Sequence, residues 1–181
     1  MNLIIGSAQF GLNYGVTNKF GRLNFNEIKK ILQYAISSNI NTIDTASAYG
    51  ESEKNIGSFS DLNFKIITKL PQLTCKKANI RKDINKTILN SLNNLNANNI
   101  DTLLMHAPGQ LLTNNGDLIY EALNDLKDNK LISKFGISVY DTKILKEILY
   151  KYDMIEIVDS CNAIATNSQH FWSQCKDDIL S

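Results

Sequence analysis

The sequence predicts an α/β protein built on a parallel sheet, either an open doubly wound sheet or a (β/α) barrel. Three observations lead there. Short runs rich in Ile, Leu and Val recur along the 181-residue chain, each of a length that suits a strand buried on both faces. Stretches with helical apolar spacing separate them, and no hairpin signal joins consecutive runs. Strand and helix therefore alternate, as crossover helices between parallel strands require.

In chain order the predicted strands are Leu3–Gly6, Thr42–Asp44, Lys65–Lys69, Asp101–His106, Ser133–Ser138 and Met154–Asp159. The helices between them are marked by Ile28, Ile31, Leu32 and Ala35, by Ile84, Ile88, Leu92 and Leu95, by Leu118, Leu123 and Leu126, and by Ile144, Leu145, Ile148 and Leu149. The only prolines, Pro71 and Pro108, fall just after strands, where the chain leaves the sheet. Two segments break the rhythm. Ser7 to Arg22 is a loop of about fifteen residues, long enough to suggest a functional role. After Asp159 the alternation stops, and residues 168–179 read as one short helix with Phe171, Cys175 and Ile179 on a face. The abundant Asn residues sit inside periodic segments and read as compositional bias.

Composition narrows the function. Lys and Arg number 19 against 18 Asp and Glu, so the net charge of +1 gives no electrostatic case for nucleic acid or an anionic membrane. No apolar run approaches the roughly 18 residues of a spanning helix, and Met1 to Gly6 lacks the basic start of a signal peptide, so a cytoplasmic protein is expected. Cys75, Cys161 and Cys175 are odd in number and widely spaced, unlike a disulfide framework. Cys161, His170 and Cys175 lack the spacing of a zinc knuckle, and no metal site is expected. Gly6, Gly11 and Gly15 do not have phosphate-loop spacing, and no Lys-Ser or Lys-Thr follows them.

In parallel α/β folds the chemistry gathers at the carboxyl ends of the strands. Four reactive side chains occur there: Asp44, Tyr49, Lys69 and His106. Singly, each has an ordinary structural reading as helix cap, packing residue, solvated charge or satisfied histidine. Together, from three successive strands, they make a site-like set. A phenol is a weak acid with a pKa near 10; a neighbouring ammonium stabilises its phenolate, and an aspartate keeps the ammonium charged and oriented. His106 adds a hydrogen bond to the oxygen that Tyr49 protonates. The task that needs these parts is polarising a carbonyl and delivering a proton as charge builds on oxygen.

These residues sit in stretches that resemble the aldo-keto reductase family: Gly6-Ser7-Ala8-Gln9-Phe10-Gly11, then Asp44-Thr45-Ala46-Ser47-Ala48-Tyr49-Gly50-Glu51-Ser52-Glu53, Ile67-Thr68-Lys69, Leu103-Leu104-Met105-His106 and Lys134-Phe135-Gly136-Ile137-Ser138. The resemblance implies a (β/α)8 TIM-type barrel that reduces an aldehyde or ketone with NADPH or NADH. Tyr49 is then the proton donor, with Asp44, Lys69 and His106 around it. Ser7, Ala8, Asp44 and Ser138 would lie against the cofactor.

The sequence departs from the family at Val139, where many members have Asn or Arg, and at Asp159-Ser160-Cys161-Asn162. A full barrel takes about 250 residues. The expectation is accordingly an incomplete barrel of about six βα strands over residues 1–159, a divergent tail over 160–181, and a truncated copy with weak or no activity alone. A noncatalytic fragment or regulatory pseudoenzyme is the alternative. Edges left open on strands one and six would invite self-association. Ile4, Ile43, Ile67, Leu103, Ile137 and Ile157 are expected to give the sheet an apolar inner face.

Overall fold

The computed structural model describes residues 3–152 other than 17, 75 and 140, together with the strand backbone at 157–160. The expected helix over 168–179, the four residues Cys75, Cys161, His170 and Cys175, and the side chain of Ile157 lie outside the described residues. Six strands form one sheet: β1 (Ile5–Gly6), β2 (Thr42–Asp44), β3 (Lys65–Leu70), β4 (Ile100–Met105), β5 (Ile132–Val139) and β6 (Ile157–Ser160). All five neighbour pairs are parallel, and the spatial order is the chain order, β1 to β6.

That order decides between the two predicted architectures. A doubly wound sheet reverses direction at a switch point, whereas here every crossover steps the same way. With right-handed crossovers, all helices then fall on one side, and the sheet curls in the manner of a (β/α) barrel. Among the described residues the sheet does not close, and β1 and β6 are its edges.

The helices are α1 (Ala8–Gly11), α2 (Phe25–Ser37), α3 (Ser52–Gly57), α4 (Ile80–Leu95), α5 (Gly116–Asp128) and α6 (Thr142–Lys151). The periodic stretches α2, α4, α5 and α6 lie where the apolar spacing puts them. The whole predicted stripe Ile84, Ile88, Leu92 and Leu95 is buried in α4, whereas α2 buries Ile28, Leu32 and Ala35 and leaves Ile31 exposed, and Leu118 of α5 and Ile144 and Leu149 of α6 are part-buried. Sequence spacing missed α1 and α3, which are too short to carry a period. A capping box starts α2: Asn24 Oδ1 accepts from the Asn26 and Glu27 amides, and Glu27 Oε2 accepts from the Asn24 amide at 2.8 Å. Part of the Asn richness has a conformational use, since Asn39, Asn63 and Asn96 all hold positive φ at or just beyond element ends.

Register corrects the expected inner face. The strand positions pair so that Ile43, Ile66, Leu70, Leu103, Met105, Phe135, Ile137 and Val139 share one face, and all belong to the core formed with Ile28, Leu32, Ile84, Ile88, Leu123 and Ile148 of the helices. Ile43, Leu103 and Ile137 are thus helix-facing, not inner. From the strand middles to their carboxyl ends the opposite face carries Asp44, Ile67, Lys69, Thr102, Leu104, Gly136 and Ser138. Of the six expected residues, Ile67 stands on that face, and Ile157 pairs in register with Gly136 on it. Leu3 and Ile4 precede β1 and are exposed. The period-two alternation within each strand explains the difference, because an apolar run does not say which of its residues point inward.

Candidate active site

The polar inner face carries the site. Asp44 ends β2, and Lys69 is the penultimate residue of β3; Asp44 pairs in register with Ile67, so Lys69 shares its face two residues further on. The Lys69 side chain is 1% exposed, and its Nζ donates to Asp44 Oδ1 at 2.5 Å and to the Thr45 carbonyl at 3.1 Å. A buried ammonium is tolerated only with such partners. The same Nζ lies 5.5 Å from the centroid of the Tyr49 ring. The rings of Tyr49 and His106 meet edge to face at 6.4 Å and 83°. Hence all four predicted residues gather at the carboxyl ends of β2, β3 and β4.

Tyr49 depends on close backbone packing. The turn from Ala46 to Ser52 is fastened by Tyr49 N to Ala46 O at 2.9 Å and Ser52 N to Tyr49 O at 3.1 Å. Gly50 follows at φ +57°, where any Cβ would lie 2.7 Å from the Gly11 carbonyl. A Cβ on Gly11 would in turn overlap the Tyr49 carbonyl oxygen. Two glycines back to back let α1 seat the tyrosine turn.

Beneath this turn lie three hydroxyls with no solvent exposure. Ser52 Oγ is 2.8 Å from Ser7 Oγ, 3.0 Å from Thr45 Oγ1 and 3.0 Å from the Ser7 carbonyl. They join the ends of β1 and β2 to the start of α3 and brace the Thr45 carbonyl that holds Lys69. Sequence reasoning missed Thr45 and Ser52, although both stand in the Asp44–Glu53 stretch. It also missed Glu53, which is buried against β3 and accepts from Thr68 Oγ1 at 2.8 Å.

His106 follows β4, and its amide donates to the Leu70 carbonyl at 3.0 Å. Burial is the main cause that holds its imidazole below the usual pKa; the Lys69 charge adds to this, and Asp44 opposes it. At neutral pH the ring is uncharged, with one nitrogen donating and one accepting. Beyond His106 a cleft of about 390 Å³ opens between the ends of β4 and β5, lined by Ser138, Val139, Gln72, Gln110, Asp141 and Ile144 among others.

Of the expected cofactor residues, Ser138 lines this cleft, while Asp44 ends β2 and Ser7 and Ala8 follow β1. Ser138 is fully buried at the end of β5 and lines the cleft. Ala8 opens α1 half-buried, and Ser7 is buried with its hydroxyl against Ser52 and its amide on the Asp44 carbonyl at 2.9 Å. No helix among the described residues is long and apolar enough to cross a membrane.

Fold and site define a parallel βα-repeat protein whose strand ends hold a Lys–Asp pair, a tyrosine and a neutral histidine. The sequence matches the profile of the aldo/keto reductase family over residues 2–172, and the chain belongs to that family of oxidoreductases. Solved structures agree on the fold. A protein of Pseudomonas aeruginosa assigned as an aldo-keto reductase superposes with a TM-score of 0.69 at 23% identity, over 98% of this chain and 78% of its own. The holo form of an aldo-keto reductase from Bacillus halodurans gives 0.71 at 21% identity over 98% of this chain and 58% of its own. A Bombyx mori aldo-keto reductase in complex with NADP gives 0.71 at 16% identity over 97% and 59%. This chain therefore spans about three fifths of the last two. No curated protein shows significant sequence similarity to it.

Proposed function

We propose that this chain carries the carbonyl-reducing site of an NADPH- or NADH-dependent aldo-keto reductase, acting on a small aldehyde or ketone. The observation that carries the reading is the Lys69 ammonium, held by Asp44 at 2.5 Å and set 5.5 Å from the Tyr49 ring. Structural support for a phenol that must give up its proton takes this form, because a nearby fixed cation favours the phenolate over the phenol.

The substrate oxygen is received between Tyr49 and His106. The uncharged imidazole donates a hydrogen bond that polarises the carbonyl without placing a second cation beside Lys69. Tyr49 Oη passes its proton to the oxygen as negative charge grows there, and Lys69 stabilises the phenolate left behind. Asp44 keeps Lys69 aimed, and Thr45 O fixes its second donor direction. A dinucleotide, when bound, supplies the hydride to the carbonyl carbon, so that carbon gains a hydride and oxygen a proton to give the alcohol. The residues present fit such a group: the cleft beside His106 carries the buried Ser138 hydroxyl on its wall, and Ser7 and Ala8 follow β1, beside the end of β2 that carries Asp44.

Tyr49→Phe tests this. It keeps the ring against His106 and removes the transferable proton, so kcat falls by about 10²-fold or more while NADPH affinity, read by fluorescence titration, stays within about twofold. Near-normal turnover of Tyr49→Phe refutes the assignment.

A further inference from the structure

The cleft beside His106 has a fastener that the chemistry above does not use. Gln110 lies in the 3₁₀ segment Pro108–Leu112 that follows β4. Its Oε1 accepts from the Leu73 amide at 2.9 Å, and its Nε2 donates to the Leu73 carbonyl at 2.8 Å. One side-chain amide thus pairs with both backbone groups of a residue 37 positions away, as a neighbouring strand would. Two parallel hydrogen bonds fix distance and orientation together.

The loops so joined form one wall of the cleft, and the end of β5 and the start of α6 form the other through Ser138, Val139, Asp141 and Ile144. Gln72 lines it from the loop after β3; His106, Ala107, Pro108, Gly109 and Gln110 line it from the loop after β4. Pro71 offers no N–H, and residues 71–74 have neither helix nor strand hydrogen bonds. Leu73, packed part-buried against the core, is the point where Gln110 takes hold.

We propose that Gln110 is a positioning residue that locks the loop after β3 to the loop after β4, sets the width of the cleft, and thereby selects small carbonyl substrates over bulky ones. The proposal rests on the reductase reading above. Gln110 touches neither Tyr49 nor Lys69 in this scheme; it acts through the wall it holds, by excluding what does not fit.

The test uses the full chain with NADPH, butanal and 2-naphthaldehyde, in wild type, Gln110→Ala and Gln110→Glu. At neutral pH the carboxylate of Gln110→Glu accepts from the Leu73 amide but cannot donate to the Leu73 carbonyl, so it breaks half of the fastener at constant size. This variant keeps the test standing if Gln110→Ala folds poorly. Hydrogen exchange at the Leu73 amide is expected to quicken about tenfold in Gln110→Ala, the shift that loss of ordinary hydrogen bonds produces. KM for butanal should rise about tenfold with kcat within about twofold, and the kcat/KM ratio should move about tenfold towards 2-naphthaldehyde, with Gln110→Glu intermediate. Unchanged Leu73 exchange, unchanged aldehyde selectivity, or a kcat loss as large as the KM change overturns the positioning role. A wild-type chain that reduces neither aldehyde removes the reductase reading and the aperture with it, whereas wild-type turnover with unaltered selectivity in the variants removes the Gln110 role alone.

Discussion

Replacing Lys69 by Met removes the charge and keeps an unbranched chain of similar length in the same buried slot. The Lys69 side chain is 1% exposed and that of Asp44 27%, so the two partners are unequal. Removing one member of a buried pair costs about 3–5 kcal/mol because the other charge keeps its burial penalty without its partner. Lys69→Met leaves Asp44, which retains access to water, and should lie near the low end, about 3 kcal/mol. Asp44→Ala leaves the ammonium in the drier place and should cost more, about 4 kcal/mol. In the double variant neither charge remains, so the combined loss should fall short of additivity by about 2 kcal/mol or more. The assay is urea unfolding of the four proteins at pH 7 as a double-mutant cycle. In a chain of this size about 3 kcal/mol corresponds to a Tm lower by roughly 6–12 °C. A Lys69→Met protein within about 0.5 kcal/mol of wild type, or an additive cycle, would falsify the view that this ion pair is coupled and buried.

Two further outcomes follow from the geometry. Gly11→Ala should destabilise the fold by about 2–3 kcal/mol and displace the Tyr49 turn, because its methyl would overlap the Tyr49 carbonyl; Gly109→Ala, with nothing within 4 Å of the new Cβ, should be neutral, and equal urea midpoints for the two would contradict the packing. The His106 ring should titrate by NMR below the ordinary 6.5, and Lys69→Met should move its midpoint up, since the lysine charge is one of the causes that lowers it. The sign for stability follows: the unfolded histidine binds its proton first, so stability is full above about pH 6.5 and declines as pH falls from there through the lowered midpoint. A His106→Gln protein with the same slope of urea midpoint against pH across that window would show that His106 does not contribute to it.

The sequence by itself determined the βα alternation and singled out the four residues that gather at the strand ends. Apolar runs and helical stripes are local and periodic, and in a parallel repeat the end of each strand lies beside the end of the next. Asp44, Lys69 and His106 therefore had to share a mouth once their strands were placed, whatever the details of the turn that brings Tyr49 to them. Tertiary structure alone decided the rest. Strand order separated a barrel-like sheet from a doubly wound one, since the helical spacing is the same in both. Register sent Ile43, Leu103 and Ile137 towards the helices and left Asp44, Lys69 and Ser138 inside, because in strands covered on both faces the mixture of apolar and polar residues does not say which face meets the helices. The bracing hydroxyls of Ser7 and Ser52 meet across 45 residues, and Gln110 meets Leu73 across 37. Neither pairing has a period or a spacing to betray it. A hydroxyl or an amide finds its partner only when burial removes water as the alternative, and that burial exists only after the strands, loops and short helices have packed.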